Sequence, residues 1–180
     1  ACGCDFWRIS RHDALASISA SLLSPEGPFR THLRKHLQSS LTTGTKVDLV
    51  LIGYHLLPHS TAIDFTVSCP FLPSYLADAS TDSRKIFLHR AREKLKKHAA
   101  GSAALERLFL PFVLTTLGGI GPSDTLDFLR AIFSRSVALE FARGGRGQLA
   151  NDRRAIYFMS IQATLTNSTA NMLAAHVHTN

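Results

Sequence analysis

Apolar positions along this chain follow two rhythms. Over residues 11–23 they recur at Leu15, Ile18, Leu22 and Leu23, the spacing of one helical face, and Ser24-Pro25-Glu26-Gly27-Pro28 ends that helix. A second short helix is expected over residues 29–37, followed by a polar linker over 39–45. The rhythm then changes. Lys46-Val47-Asp48-Leu49-Val50-Leu51-Ile52 and Ala62-Ile63-Asp64-Phe65-Thr66-Val67 are short runs rich in Val, Ile, Leu and Phe, and they read as buried strands joined by a loop with Pro58 and two histidines. Cys69-Pro70-Phe71-Leu72-Pro73 stops the sheet, because proline has no N–H to give a ladder. Residues 83–100 read as a helix capped by Asp82 or Ser83 and ended by Gly101. Residues 108–114 form a third apolar strand, and the glycines of Gly118-Gly119-Ile120-Gly121 after it permit close backbone approach. Two long helices are expected next, one over 123–142 capped by Ser123 and one over 148–175, hinged at Gly144-Gly145-Arg146-Gly147. No internal repeat is present. The order predicts an α/β fold in which a small mixed sheet is flanked by helices and followed by a C-terminal helical extension.

Composition narrows the class. A chain of 180 residues fits one domain with a substantial core. Hydrophobic residues make up 45% of it, too many for a disordered tail, yet its formal charge is +7 and its pI is near 9.8. That balance points to a nucleic-acid partner, DNA first and RNA second. No apolar run approaches the ~20 residues that span a bilayer, so no membrane partner is expected. Three cysteines, two of them crowded at Cys2 and Cys4, do not make a disulfide framework and fit a reducing compartment. Cys2-x-Cys4 admits a zinc-knuckle remnant whose other ligands lie upstream, with His12 as a conceivable local third ligand. The chain begins with Ala, which suggests excision from a longer polypeptide or trimming.

The candidate chemistry lies in the strands. An ionised carboxylate inside an apolar strand is costly unless it is paired or binds a metal. Period-2 geometry puts Asp48 on one face with Val50 and Ile52, and Asp64 on one face with Ala62 and Thr66, so on neighbouring strands the two carboxylates converge. Two such oxygens, with waters and a substrate phosphate, suffice for magnesium. The competing reading, that each Asp ends its strand and caps a turn, stands beside it. The helix that follows carries Arg84, Lys85, Arg90, Arg92, Lys94, Lys96 and Lys97 against the single acid Glu93; it is either a solvated face or a phosphate-binding one. No GxxxxGK[ST], strand-linked GxGxxG or GxSxG occurs, and Cys69 has no evident histidine partner, which removes phosphate-loop and side-chain-nucleophile chemistry.

These residues resemble a known family. Ile63-Asp64-Phe65-Thr66-Val67, Pro70, Pro73-Ser74-Tyr75-Leu76, Glu93-Lys94-Leu95-Lys96-Lys97-His98, the stretch Phe109 to Gly119 with its Thr-Leu-Gly-Gly loop, and Arg153-Arg154 with Ile161-Gln162-Ala163-Thr164-Leu165 stand in the order seen in the restriction-endonuclease-like domain of site-specific non-LTR retrotransposon polyproteins. The resemblance covers almost the whole chain. It implies a restriction-endonuclease-like core over residues 11–122, preceded by the knuckle remnant over 1–10 and followed by C-terminal helices over 123–180 packed on the core. It also implies a PD-(D/E)xK-type nuclease whose lysine has moved from the second strand, where Thr66 stands, to the next helix. Asp48 and Asp64 would hold one or two magnesium ions with the backbone carbonyl of Phe65 as a further ligand. Lys94 is the first choice for the lysine and Lys97 the second. Arg84, Lys85, Arg90, Arg92, Lys96, Arg30, Arg34 and Lys35 would hold the DNA backbone. Two departures stand out: His98 replaces an aromatic Tyr, and the first helix lacks the acid that such nucleases often carry, Asp13 being the only local substitute. His12 itself reads as a helix-start or packing residue.

Three functional readings follow. One is a metal-dependent DNA endonuclease domain of a retroelement, nuclear, nicking its target to prime reverse transcription as part of a larger polypeptide or complex. Another is a catalytically silent, domesticated descendant serving as a structural or RNA-binding subunit of an organellar ribonucleoprotein. A junction resolvase or repair nuclease on the same fold, usually a dimer, is a third.

Overall fold

The computed structural model describes residues 4–23, 30–33, 47–52 and 60–177. The elements run α1 (Cys4–Leu23), β1 (Arg30–Leu33), β2 (Leu49–Ile52), β3 (Ser60–Ser68), α2 (Pro73–Thr81), α3 (Arg84–Ala103), β4 (Arg107–Thr115), β5 (Ile120–Gly121), α4 (Ser123–Ala142) and α5 (Gln148–Val177). The strands form one sheet in chain order. The first three make an antiparallel meander, β4 returns parallel to β3 after α3, and the two-residue β5 closes antiparallel on β4. The architecture is therefore mixed α/β with helices flanking a mixed sheet.

Alternation along the strands sorts their side chains into two layers. One face presents Leu49, Leu51, Ile63, Phe65, Leu110, Phe112 and Leu114 to α1, α4 and α5, which add Leu15, Leu129, Ile132, Tyr157, Ile161 and Leu165 to a single core. The C-terminal helices thus share the core of the sheet. Tyr157 is fully buried and its hydroxyl lies 3.2 Å from Ser19 Oγ, which ties α5 to α1. The other face carries Val50, Ala62 and Phe109, and α3 lies across it, with His98 stacked on Phe109 at 5.1 Å. Pro111 sits mid-strand in β4, where its carbonyl accepts the Thr125 hydroxyl at 2.9 Å. Amide nitrogen and carbonyl of one strand residue point to the same side, so the missing N–H falls toward α4, away from the β3 ladder.

Several elements differ from the sequence expectation. The helix expected over 29–37 is instead, at Arg30–Leu33, the edge strand β1, paired with Ile52 back to Leu49. Pairing with a partner some twenty residues on overrides the weak local preference for helix. Arg34 and Lys35 lie outside the described residues, as do Cys2, the polar linker and the loop between β2 and β3. Helix α1 begins at Cys4, earlier than expected, and α2 was not anticipated; Pro73 opens it at the first helical position, where no N–H is required. Gly101 is buried inside α3 and does not end it; the chain leaves the helix through Glu106 at φ +53°. At the start of α3, Asp82 Oδ1 accepts the Arg84 N–H at 2.9 Å, while Ser83 makes no cap bond. Ser123 is likewise the first residue inside α4 and no cap. In the loop after β4, Gly118 turns the chain at φ +87°, and a Cβ on Gly121 would fall 2.6 Å from the Phe87 ring.

Candidate active site

The two aspartates meet where the β2–β3 ladder ends. Its last pair is Leu49 with Ile63, and one step further Asp48 and Asp64 stand across from each other on the face that α3 covers. Both are buried, at 9% and 4% exposure. With β2 finished, the backbone of Phe65 has no strand partner on that side. Its N–H instead donates to Asp48 Oδ2 at 2.7 Å, which fixes that carboxylate. Asp48 is further held by its own N–H, which donates to the Ile63 carbonyl at 3.1 Å.

Three helical side chains close the site. Lys94 projects from the sheet-facing edge of α3 and its ammonium lies 2.5 Å from Asp64 Oδ2. That oxygen is buried and, among the described residues, has no hydrogen-bond donor beyond this ammonium. One turn earlier, Arg90 pairs with Glu93 and extends Nη2 to within 3.3 Å of Thr66 Oγ1, the position at which the strand lacks a lysine. From the opposite layer, α1 reaches past the end of β2 and brings His12 Nε2 to 3.0 Å from Asp48 Oδ2 and 3.1 Å from the Phe65 carbonyl oxygen. The result is a cleft of about 360 Å³ lined by Arg11, His12, Phe65, Thr66, Val67, Arg90 and Lys94.

Electrostatics follow from this crowding. Burial, and then the neighbouring Asp48 charge, push the Asp64 carboxyl up to about 6 against the opposing pull of Lys94. The hydrogen bond to Asp48 raises the His12 imidazole above its ordinary value, although burial opposes it. His98 lies behind the pair, its Nε2 3.9 Å from Asp64 Oδ2. Burial first, then the charges of Lys97 and Lys94, push it down to about 4, so it is neutral at pH 7.

Asp48, Asp64, Lys94 and the Phe65 backbone therefore come together. Lys97 does not join them; it lies exposed on α3, outside the cleft lining. The basic residues of α3 do not share one face. Arg90 faces the aspartates, whereas Arg92 lines a separate groove between α3 and α4 with Leu88, Leu95 and Asp127. Arg84 and Lys85 are exposed and pair with Asp82 and Asp78, and Lys96 is exposed. The sequence reading assigned neither Arg11 nor His12 to this site and took His12 for a helix-start or packing residue. Their adjacency at the start of an amphipathic helix was visible, but the sheet end on which that helix docks was not. Asp13, the anticipated acid of α1, lies beside His12, with Oδ1 3.8 Å from His12 Nδ1.

Two carboxylates and a carbonyl from adjacent strands make an oxygen donor set suited to a hard divalent cation, and the buried Asp64 Oδ2 fits that role. Among the described residues no group of three or more His, Cys, Asp or Glu side chains is arranged to hold a metal ion. No helix there is long and apolar enough to cross a membrane. No family model matches the chain, and no curated protein is significantly similar to it.

Proposed function

We propose that this chain is a metal-dependent DNA endonuclease domain with a restriction-endonuclease-like core, nicking target DNA to prime reverse transcription in a retroelement. The observation that carries the reading is the convergence of Asp48, Asp64 and Lys94 at one end of the sheet, beside a cleft lined by Arg11 and Arg90. The order of helix, three-strand meander, crossing helix and parallel return strand supports it, because that order lets α3 lay its lysine over the strand that bears Asp64.

Asp48, Asp64 and the Phe65 carbonyl would hold the metal, magnesium in the simplest case. Bound there, such an ion would supply an acidified water and withdrawal of charge from the scissile phosphate. The protein's own part is positioning. The Phe65 N–H orients Asp48, and Lys94 places a positive charge 2.5 Å from Asp64, where it can orient the attacking water or neutralise charge on the pentavalent phosphate. Arg11 and Arg90 line the cleft as cations for a phosphate backbone, which binds without reading sequence.

One observation favours the second reading, a silent descendant acting as a structural or RNA-binding subunit. Lys94 and His12 already sit against the two carboxylates, so the acids are neutralised by the protein itself. Nicking of supercoiled plasmid with and without Mg2+ separates the two. Metal-dependent nicking in the wild type, lost by a factor of about 10³ or more in Asp48→Ala and Asp64→Ala and reduced in Lys94→Ala, is expected. No nicking from the folded wild-type chain moves the assignment to the second reading. Binding to duplex DNA should weaken steeply as salt rises, and a flat salt response would remove the electrostatic contact.

A further inference from the structure

Strand β4 has a bare edge. It pairs with β3 along its whole length, from Arg107 to Thr115, but on its other side β5 covers only Val113 and Leu114. Two hydrogen bonds fix the phase of the uncovered groups. Thr116 N–H donates to the Ser68 carbonyl of β3, whereas Thr115 N–H donates to the Gly119 carbonyl on the β5 side. Every second residue back from Thr115 therefore turns its amide and carbonyl away from β3. At Pro111 the carbonyl on that side is taken by the Thr125 hydroxyl and there is no N–H. At Phe109 and Arg107, among the described residues, neither backbone group is hydrogen-bonded on that side. Phe109 lies in the floor of a groove of about 630 Å³, walled by Leu88, Arg92 and Leu95 of α3 and by Asp124, Asp127 and Phe128 of α4. Its rim leaves Leu88, Leu95 and Leu108 exposed.

We infer that this groove binds an extended segment of a partner protein, which adds to β4 as an antiparallel strand in the line that β5 vacates where the chain turns into α4. An incoming strand pairs both backbone groups of Phe109 and both of Arg107, groups that are costly to leave unpaired in an apolar groove. Other occupants fit worse. The sheet edge of a second copy carries its own α3 and α4 and cannot enter between two helices, and nucleic acid would meet exposed leucines and two carboxylates. Strand alternation fixes the chemistry of the segment. The residue opposite Phe109 points toward α3, as Phe109 does, and meets Leu88 and Leu95, while its two neighbours point toward α4 and meet Asp124 and Asp127. The matching segment therefore alternates aliphatic with basic residues. The groove shares no lining residue with the aspartate cleft, so this binding stands or falls independently of nuclease activity.

The test titrates the whole chain, labelled with 15N, with a capped pentapeptide of alternating valine and lysine that begins and ends with valine. Saturable binding is expected, with the Arg107 and Phe109 amides shifted and slowed in hydrogen exchange and the Thr115 amide, already bonded, unmoved. N-methylation of the third and fifth peptide residues, whose amides meet the edge opposite Phe109 and Arg107, should weaken binding about tenfold or more. N-methylation of the second and fourth, whose amides point away, should leave it nearly unchanged. Replacing lysine by glutamate should weaken binding about threefold or more, a preference that Asp124→Asn combined with Asp127→Asn removes. Equal binding of the glutamate peptide overturns the assignment of a basic segment. Binding that ignores the position of the N-methyl groups, or that leaves the Arg107 and Phe109 amides unprotected, overturns the strand addition, as does the absence of saturable binding to the folded chain at millimolar peptide. Protection of those amides in the peptide-free chain, with dimerisation in sedimentation, overturns it in favour of a second copy.

Discussion

The two faces of the β-sheet obey the same alternation and arrive at opposite chemistries. On β3, Ile63 and Phe65 enter a core shared with α1, α4 and α5, while Ala62, Asp64 and Thr66, one residue out of phase, face α3 and the cleft. The apolar face is filled by packing, with Phe65 and Phe112 rings 4.9 Å apart and Tyr157 fully enclosed. The α3 face instead buries a carboxylate whose charge the surroundings disfavour, and a histidine whose ring nitrogens have no hydrogen-bond partner among the described residues. One face is built for stability. The other gives up stability to hold charges in place, the arrangement expected where binding or catalysis occurs.

Substitutions on adjacent residues should therefore move stability in opposite directions. Phe65→Ala removes a buried ring from the packed face and should cost about 3–5 kcal/mol in denaturant unfolding. A cost below about 1 kcal/mol would show that this face is not close-packed. Asp64→Asn, next door, should raise stability at pH 7 on the order of 2 kcal/mol, because it removes a charge that is 96% shielded from solvent. That corresponds to a rise in Tm of several degrees. A fall in Tm would mean that the Lys94 ion pair outweighs burial.

The pH dependence sharpens the same contrast. Asp64 has its folded pKa raised to about 6 from 3.8, so it binds its proton more tightly when folded, and its contribution to stability is lost as pH rises through about 6. His98 has its folded pKa lowered to about 4 from 6.5, so the unfolded chain binds that proton better and stability is lost as pH falls from about 6.5 toward 4. Between pH 4 and 6 the two slopes oppose each other. Relative to wild type, Asp64→Asn should gain stability only as pH rises past about 4 to 6, and His98→Phe should gain it only as pH falls below about 6.5. Difference curves of urea midpoints against pH measure both; parallel curves for all three proteins would refute the assignment of these shifts. The smallest effect is expected at the seam of the packed face, where Tyr157→Phe removes the hydroxyl 3.2 Å from Ser19 Oγ and should cost about 1 kcal/mol. No change would make that contact incidental.

Within the chain's own pattern, Asp48 and Asp64 were legible as carboxylates that converge if their strands are neighbours, while Lys94 was picked out from the basic helix only through the family resemblance. The strands β2, β3 and β4 and the helices α3, α4 and α5 were also legible, because apolar periodicity repeats over distances shorter than the elements themselves. What the sequence determined is thus the inventory: which face of each strand is apolar, where the carboxylates interrupt it, and that a basic helix lies between β3 and β4. Tertiary structure alone decided the rest. It made 30–33 an edge strand, since pairing with 49–52 depends on residues that no local window contains. It split the basic residues of α3 between the aspartates and the α4 groove, because a helix rotates each side chain by position and only docking fixes which side meets the sheet. It also brought Arg11 and His12 to a site more than thirty residues away in sequence, because the end of β2 leaves the Phe65 amide and carbonyl without a strand partner and α1 lies where it can meet them. Local chemistry is written in the order of residues; the meeting of distant polar groups depends on where packed elements end.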